Sequence, residues 1–97
     1  MASVGTWLVE RRLRQGSVRL RNLRDELRVI DEQLAELAGD ADDMAVRSLV
    51  SENPGAATEH RHAQAHVDAM ARHRAHVVDS IAELERRQDQ LLDRLTG

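Results

Sequence analysis

Apolar residues recur at alternating spacings of three and four along most of the chain, as they do in helices that pack in a coiled coil. The first series comprises Leu13, Gly16, Leu20, Leu23, Leu27, Ile30, Leu34, Leu37, Ala41 and Met44, with Thr6 and Val9 in the same frame. The second comprises Ala63, Val67, Met70, Arg74, Val77, Ile81, Leu84, Gln88, Leu91 and Leu95. The pattern predicts an all-α fold, an antiparallel coiled-coil hairpin of two long helices.

The segment SENPG at residues 51–55 separates the two series and contains the only proline of the chain. Because proline disfavours helix before it and is suited to the first helical turn, we expect a turn at 51–55 and helix 2 at about 55–95. Helix 1 should cover about residues 6–38, with Ser3 or Thr6 as its cap. Gly39 and the aspartates after it allow either a kinked continuation or a separate short helix at 42–50. All 97 residues are interpreted as one domain.

The two series also predict which residues face each other. The preferred register folds the chain back at residue 52 and pairs large residues with large ones, such as Leu20 with Leu84. Shifting it by one heptad leaves a connection of about twenty residues after Leu37, longer than compact domains usually keep. Three layers contain a polar residue in this register: Gly16 opposite Gln88, Ile30 opposite Arg74, and Met44 opposite His60. We interpret such layers as fixing register or partner choice.

Many apolar side chains lie outside the predicted seam: Trp7, Leu8, Val18, Val29, Leu49, Val50, Val78 and Leu92. Since one seam between two helices is narrow, this excess predicts self-association, most simply of two hairpins in a four-helix bundle. The expected contact surface lies at the open end of the hairpin and comprises Trp7, Leu8, Val9, Arg12, Arg19, Leu91, Leu92 and Leu95. The partner is therefore expected to be a second copy or another coiled-coil protein.

Charge is divided along the chain. Residues 10–28 hold seven arginines against three acidic residues, whereas residues 31–59 hold eight acidic residues against Arg47 alone. In the preferred register Arg12 and Arg19 face Arg94 and Arg87, which favours an acidic partner at the open end. The Asp40 to Asp43 region of another copy is one candidate. With a net charge of −3 and a single aromatic residue, nucleic acid is not expected to be the main partner.

The chain contains no cysteine, which excludes disulfides and thiolate chemistry and fits a reducing compartment. No stretch is apolar enough for a membrane span or a secretion signal, so we expect a soluble cytoplasmic protein. No glycine-rich phosphate loop, cysteine nucleophile or nucleophile elbow is present, and a two-helix hairpin offers no deep pocket. We therefore expect no enzymatic activity and no required cofactor.

All five histidines lie within residues 60–76, and His62, His66, His73 and His76 share an arc of about 80° on helix 2. The candidate metal ligands are Glu59, His62, His66 and His73, because imidazoles one helical turn apart can bind Zn²⁺ or a similar divalent ion. A closed zinc site needs four ligands, so helix 1 or another subunit would have to contribute. A solvated helix face, or a surface that responds to protonation near pH 6, are the other interpretations.

The predicted turn is acidic, with Asp40, Asp42, Asp43 and Glu52 near it and Ser-Glu-Asn at 51–53. An acidic tip on a coiled-coil hairpin resembles the N-terminal hairpin of bacterial transcript-cleavage factors, although few residues are shared. That resemblance implies acidic side chains carried into the RNA polymerase channel. The sequence as a whole favours a non-enzymatic coiled-coil adaptor or assembly protein, with a metal-binding or pH-responsive helical protein as the alternative.

Overall fold

The computed structural model describes residues 3–97, which form two α-helices, α1 at Val4–Val50 and α2 at Pro54–Thr96. No strand occurs in this part of the chain. The predicted all-α helical hairpin is therefore confirmed. No helix formed by these residues combines the length and apolar content that a membrane crossing requires.

Helix α1 begins slightly earlier than expected because Ser3 caps it. The Ser3 Oγ accepts a hydrogen bond from the backbone N–H of Thr6 (3.1 Å), and the Ser3 carbonyl accepts one from Trp7 (3.0 Å). The first bond satisfies a donor that a helix start leaves unpaired, and the second is the first i→i−4 bond of the helix. At the other end α1 is uninterrupted through Gly39 to Val50, so the alternative of a separate short helix at 42–50 does not form. Ala41, two residues beyond the glycine, is only 2% exposed, and its burial favours helix across this stretch.

The connection between the helices is three residues long, and Asn53 is the cap of α2. Its Oδ1 accepts a hydrogen bond from the backbone N–H of Gly55 (2.9 Å), while its own N–H donates to the Ser51 Oγ (3.1 Å). Pro54 takes the first helical position, where its missing N–H costs nothing. The turn is thus shorter than residues 51–55, and α2 begins at the proline itself.

Replacing Asn53 by alanine should lower the free energy of unfolding by about 1 kcal/mol, because the Gly55 N–H loses its acceptor. Asn53→Ser is the matched control, since a serine hydroxyl can accept the same bond. Urea denaturation followed by circular dichroism measures both variants. Equal losses in the alanine and serine variants would contradict the capping role.

The described residues fall into two compact units. The terminal unit contains α1 up to Leu27 and the stretch Val77–Gly97, and the turn unit contains Arg28–His76. Within the terminal unit, the side chains of Val9, Leu20, Leu23, Val77 and Ile81 are buried. Within the turn unit, Ile30 and Ala41 are buried, and several leucine, valine and methionine side chains of both series are half-buried. Every buried side chain belongs to the two series read from the sequence. The single-domain interpretation stays a prediction.

The register within each unit agrees with the preferred pairing. In the terminal unit Gly16 lies directly against Gln88, and Arg24 Nη2 lies 3.8 Å from Glu85 Oε1. In the turn unit Arg74, predicted to lie opposite Ile30, donates a hydrogen bond from Nε to the adjacent Asp31 carboxylate. That bond, together with the negative charge of Asp31, raises the pKa of Arg74 above its usual value. The arginine thus lies at the seam while its charged head reaches a partner at the edge.

Candidate functional site

The polar layer at Gly16 is built by Gln88. The Gln88 Nε2 donates to the backbone carbonyl of Leu13 (3.0 Å) and lies 3.4 Å from the Ser17 Oγ. The absent side chain of Gly16 makes room for this amide, since a Cβ there would overlap it. The Gln88 Oε1 is buried, and no described residue donates to it. A buried acceptor without a partner costs free energy, whereas the bond to Leu13 and the space at Gly16 favour the alignment in which Gly16 and Gln88 face each other.

The histidines lie on the surface of α2. His62, His66, His73 and His76 are exposed and His60 is half-buried, while Glu59 is also exposed. Within residues 3–97, no three histidine, aspartate or glutamate side chains come together as they would around a metal ion. The structure of one chain therefore does not assemble Glu59, His62, His66 and His73 into a ligand set.

Only some of the residues predicted to form a contact surface at the open end are exposed. Trp7, Leu8, Leu92 and Leu95 are exposed, and so are Arg12 and Arg19. Val9, in contrast, is buried and Leu91 is half-buried, because both belong to the seam of the hairpin itself. A groove in the terminal unit is lined by residues from the start of α1 and the end of α2: Ser3, Gly5, Thr6, Val9, Arg94 and Leu95.

Two apolar patches lie on α1 near its two ends. The start patch, in the terminal unit, comprises Val4, Trp7 and Leu8. The end patch, in the turn unit, comprises Val46, Leu49 and Val50. Val4 is 76% exposed, and the three end-patch residues are 61%, 85% and 80% exposed in chain order. Val4 and the three end-patch residues are more exposed than any other large apolar side chain among the described residues.

Sequence reasoning missed Val4 and Val46 as members of this surface. The predicted helix 1 begins at about residue 6 and so omits Val4, and Val46 falls in the stretch 42–50, for which a separate short helix was one of two alternatives. The signal that could have found them is their spacing: Val4 precedes Leu8 by four residues, and Val46 precedes Val50 by four, on the side of the heptad opposite the seam. Both pairs can be placed on one face of α1 only when that helix is known to run from residue 4 to residue 50.

Charges of opposite sign adjoin the two patches. Arg11, Arg12 and Arg14 follow the start patch, and all three are exposed. Asp40, Asp42 and Asp43 precede the end patch and are exposed as well. These aspartates, with the exposed Glu52 in the connection, are the acidic tip read from the sequence. The Arg11 guanidinium carbon also lies 5.5 Å from the centre of the Trp7 ring, a cation–π distance that links the basic residues to the start patch.

The chain matches no family model, and no curated protein or solved structure is significantly similar to it.

Proposed function

We propose that this protein is a non-enzymatic assembly or adaptor protein that acts through protein–protein contacts. One observation carries the proposal: among the described residues, eleven large apolar side chains are exposed, against seven hydrophobic side chains that are buried. Single exposed apolar residues are ordinary on protein surfaces. Eight of the eleven lie near the two ends of α1 or at Leu92 and Leu95 near the end of α2, and groups of exposed apolar side chains are typical of surfaces that bind another protein.

The narrow seam supports the same conclusion energetically. Each ordered residue costs about 1–2 kcal/mol of backbone entropy, which hydrophobic burial has to offset. Within one chain that burial is limited to a single stripe on each helix. Covering the exposed apolar side chains would add to it, at roughly 25 cal/mol for each Å² removed from water. A partner helix or pair of helices is the kind of surface that fits an exposed helical face, as in a four-helix bundle.

Arg12 and Arg19 extend this proposal to the chemistry of the partner. Both are exposed on α1 in the same unit as the start patch. Basic residues around an apolar centre favour a partner whose own apolar surface is bordered by acidic residues. The cytoplasmic location expected from the sequence stays a prediction.

Affinity purification from source cells tests the proposal when two surface variants are compared with the wild type. Leu8→Ser with Leu92→Ser removes two exposed apolar side chains of the terminal unit, whereas Val78→Ser changes a less exposed one in the same unit. We expect proteins that the wild type and Val78→Ser retain to fall at least about tenfold in the double variant, because two lost apolar contacts at about 1 kcal/mol each exceed a tenfold loss of affinity.

Sedimentation of the purified protein over a range of concentrations completes the test, since it detects self-association that a pull-down can hide. A wild type that is monomeric throughout, and that retains no more protein than the double variant does, would overturn the proposal. Circular dichroism checks that the variants keep their helical content.

A further inference from the structure

We infer that the partner of the two α1 patches is a second copy of this chain, with the start patch of one copy packed antiparallel on the end patch of the other. This inference rests on the proposed function, that the protein acts through protein–protein contacts. It names which surfaces meet, in which direction, and in which register. The supporting observations are the exposure, the helical positions and the charges of the residues in the two patches.

Each patch forms a face suited to helix packing. At 100° per residue, Val4, Leu8 and Arg11 lie within an arc of about 60° on α1. The residues Asp43, Val46 and Val50 occupy an arc of about the same width. Both arcs lie on the side of α1 away from the buried seam positions, and all six residues are exposed. Within each unit, this face is therefore not covered by α2.

One antiparallel register matches the patches residue by residue. It places Val4 opposite Val50, Leu8 opposite Val46, and Arg11 opposite Asp43, with successive layers three and four residues apart as in a coiled coil. The residues that flank this face also form matched pairs in the same register: Trp7 with Leu49, Arg12 with Asp40, and Arg14 with Asp42. Apolar residues meet apolar residues, and each arginine meets an aspartate.

The neighbouring registers lack this agreement. Sliding one copy by a heptad places Val4 opposite Asp43 and Arg11 opposite Glu36. Sliding it the other way places Arg11 opposite Val50. A parallel pairing would bring each basic segment against its own counterpart, which like-charge repulsion disfavours. The complementarity is thus specific to one direction and one register.

The charged pairs give this contact its selectivity and the apolar pairs its stability. Surface ion pairs contribute little individually and are screened by salt. Burial of Val4, Leu8, Val46 and Val50 is the larger favourable contribution, because the three valines are highly exposed in the single chain and Leu8 is 42% exposed. Arg11 can bind Asp43 while it stays stacked on Trp7, so the basic and apolar parts of the start patch act together.

Charge reversal in two separate variants tests the inference. One variant carries Arg11→Asp, Arg12→Asp and Arg14→Asp; the other carries Asp40→Arg, Asp42→Arg and Asp43→Arg. Each should self-associate at least about tenfold more weakly than the wild type, because three attractive pairs become repulsive. An equimolar mixture of the two should recover the wild-type affinity, since the altered patches are again complementary. Analytical ultracentrifugation measures all four samples.

A matched control reverses the same number of charges on α2 with Arg61→Asp, Arg72→Asp and Arg86→Asp, and it should associate as the wild type does. Recovery in the mixture also shows that neither variant failed because it was unfolded. The inference is wrong if the wild type is monomeric, if either variant associates normally, or if the mixture does not recover. A monomeric wild type that still retains another protein through Leu8 and Leu92 would refute this inference and leave the proposed function intact.

Discussion

Replacing Ile30 by alanine should lower the free energy of unfolding by about 2–5 kcal/mol, the usual cost of truncating a large buried aliphatic side chain. Ile30 is 3% exposed and lies in the turn unit, where much of the seam is only half-buried. Few neighbouring side chains can move in to fill the cavity, because each of the two helices contributes only one stripe of side chains to the seam. Domains of this size are commonly stable by about 5–15 kcal/mol, so the loss should be a large fraction of the total.

Val29→Ala is the matched control for this experiment. Val29 is the preceding residue on the same helix but is 47% exposed, so its truncation should change the free energy of unfolding by no more than about 0.5 kcal/mol. Urea denaturation at a low protein concentration gives both values. Comparable losses at residues 29 and 30 would mean that the seam does not lie where the structure places it.

Two glycine-to-alanine substitutions should have different effects although both glycines lie inside α1. Gly39 has no other atom near the position of an added Cβ, so Gly39→Ala should stabilise the protein by about 1 kcal/mol through helix propensity. At Gly16 the same methyl group would displace the Gln88 amide from its hydrogen bond to Leu13. We expect the loss of that hydrogen bond to cost about 0.5–1.5 kcal/mol, which offsets the gain from helix propensity.

A double-mutant cycle separates these contributions. In a Gln88→Ala background the overlap at Gly16 is absent, so Gly16→Ala should recover the stabilisation of about 1 kcal/mol that it loses in the wild type. Thermal and urea unfolding of the four proteins in the cycle provide the coupling energy. If Gly16→Ala stabilises the wild type as much as Gly39→Ala does, Gln88 does not occupy the space beside Gly16.

The seam positions were predictable because heptad spacing reports directly on which side of a helix is buried. Thus Leu20, Leu23 and Ile81 were expected in the core and are buried there. Periodicity does not report how far along a helix the partner covers it. For that reason Val9 and Leu91, although in the heptad frame, were also assigned to an outer surface, whereas Val9 is buried and Leu91 half-buried within the hairpin.

The continuity of α1 was harder to predict, since Gly39 and the aspartates after it favour a break through local propensity alone. Burial of Ala41 in the seam outweighs that preference. The consequence for the candidate interaction surface is the addition of Val46, which joins Leu49 and Val50 on the exposed face of the unbroken α1.

The sequence alone determined that the chain is helical, that it turns at its single proline, and which residues line the seam, because spacing and turn chemistry are local properties. The tertiary structure decided what the polar residues at the seam do: Gln88 binds the Leu13 carbonyl beside Gly16, and Arg74 reaches Asp31. It also decided which apolar side chains remain exposed on α1. Those outcomes depend on the distance between two helices and on the volume left between them, and both are fixed only when residues far apart in the chain pack together.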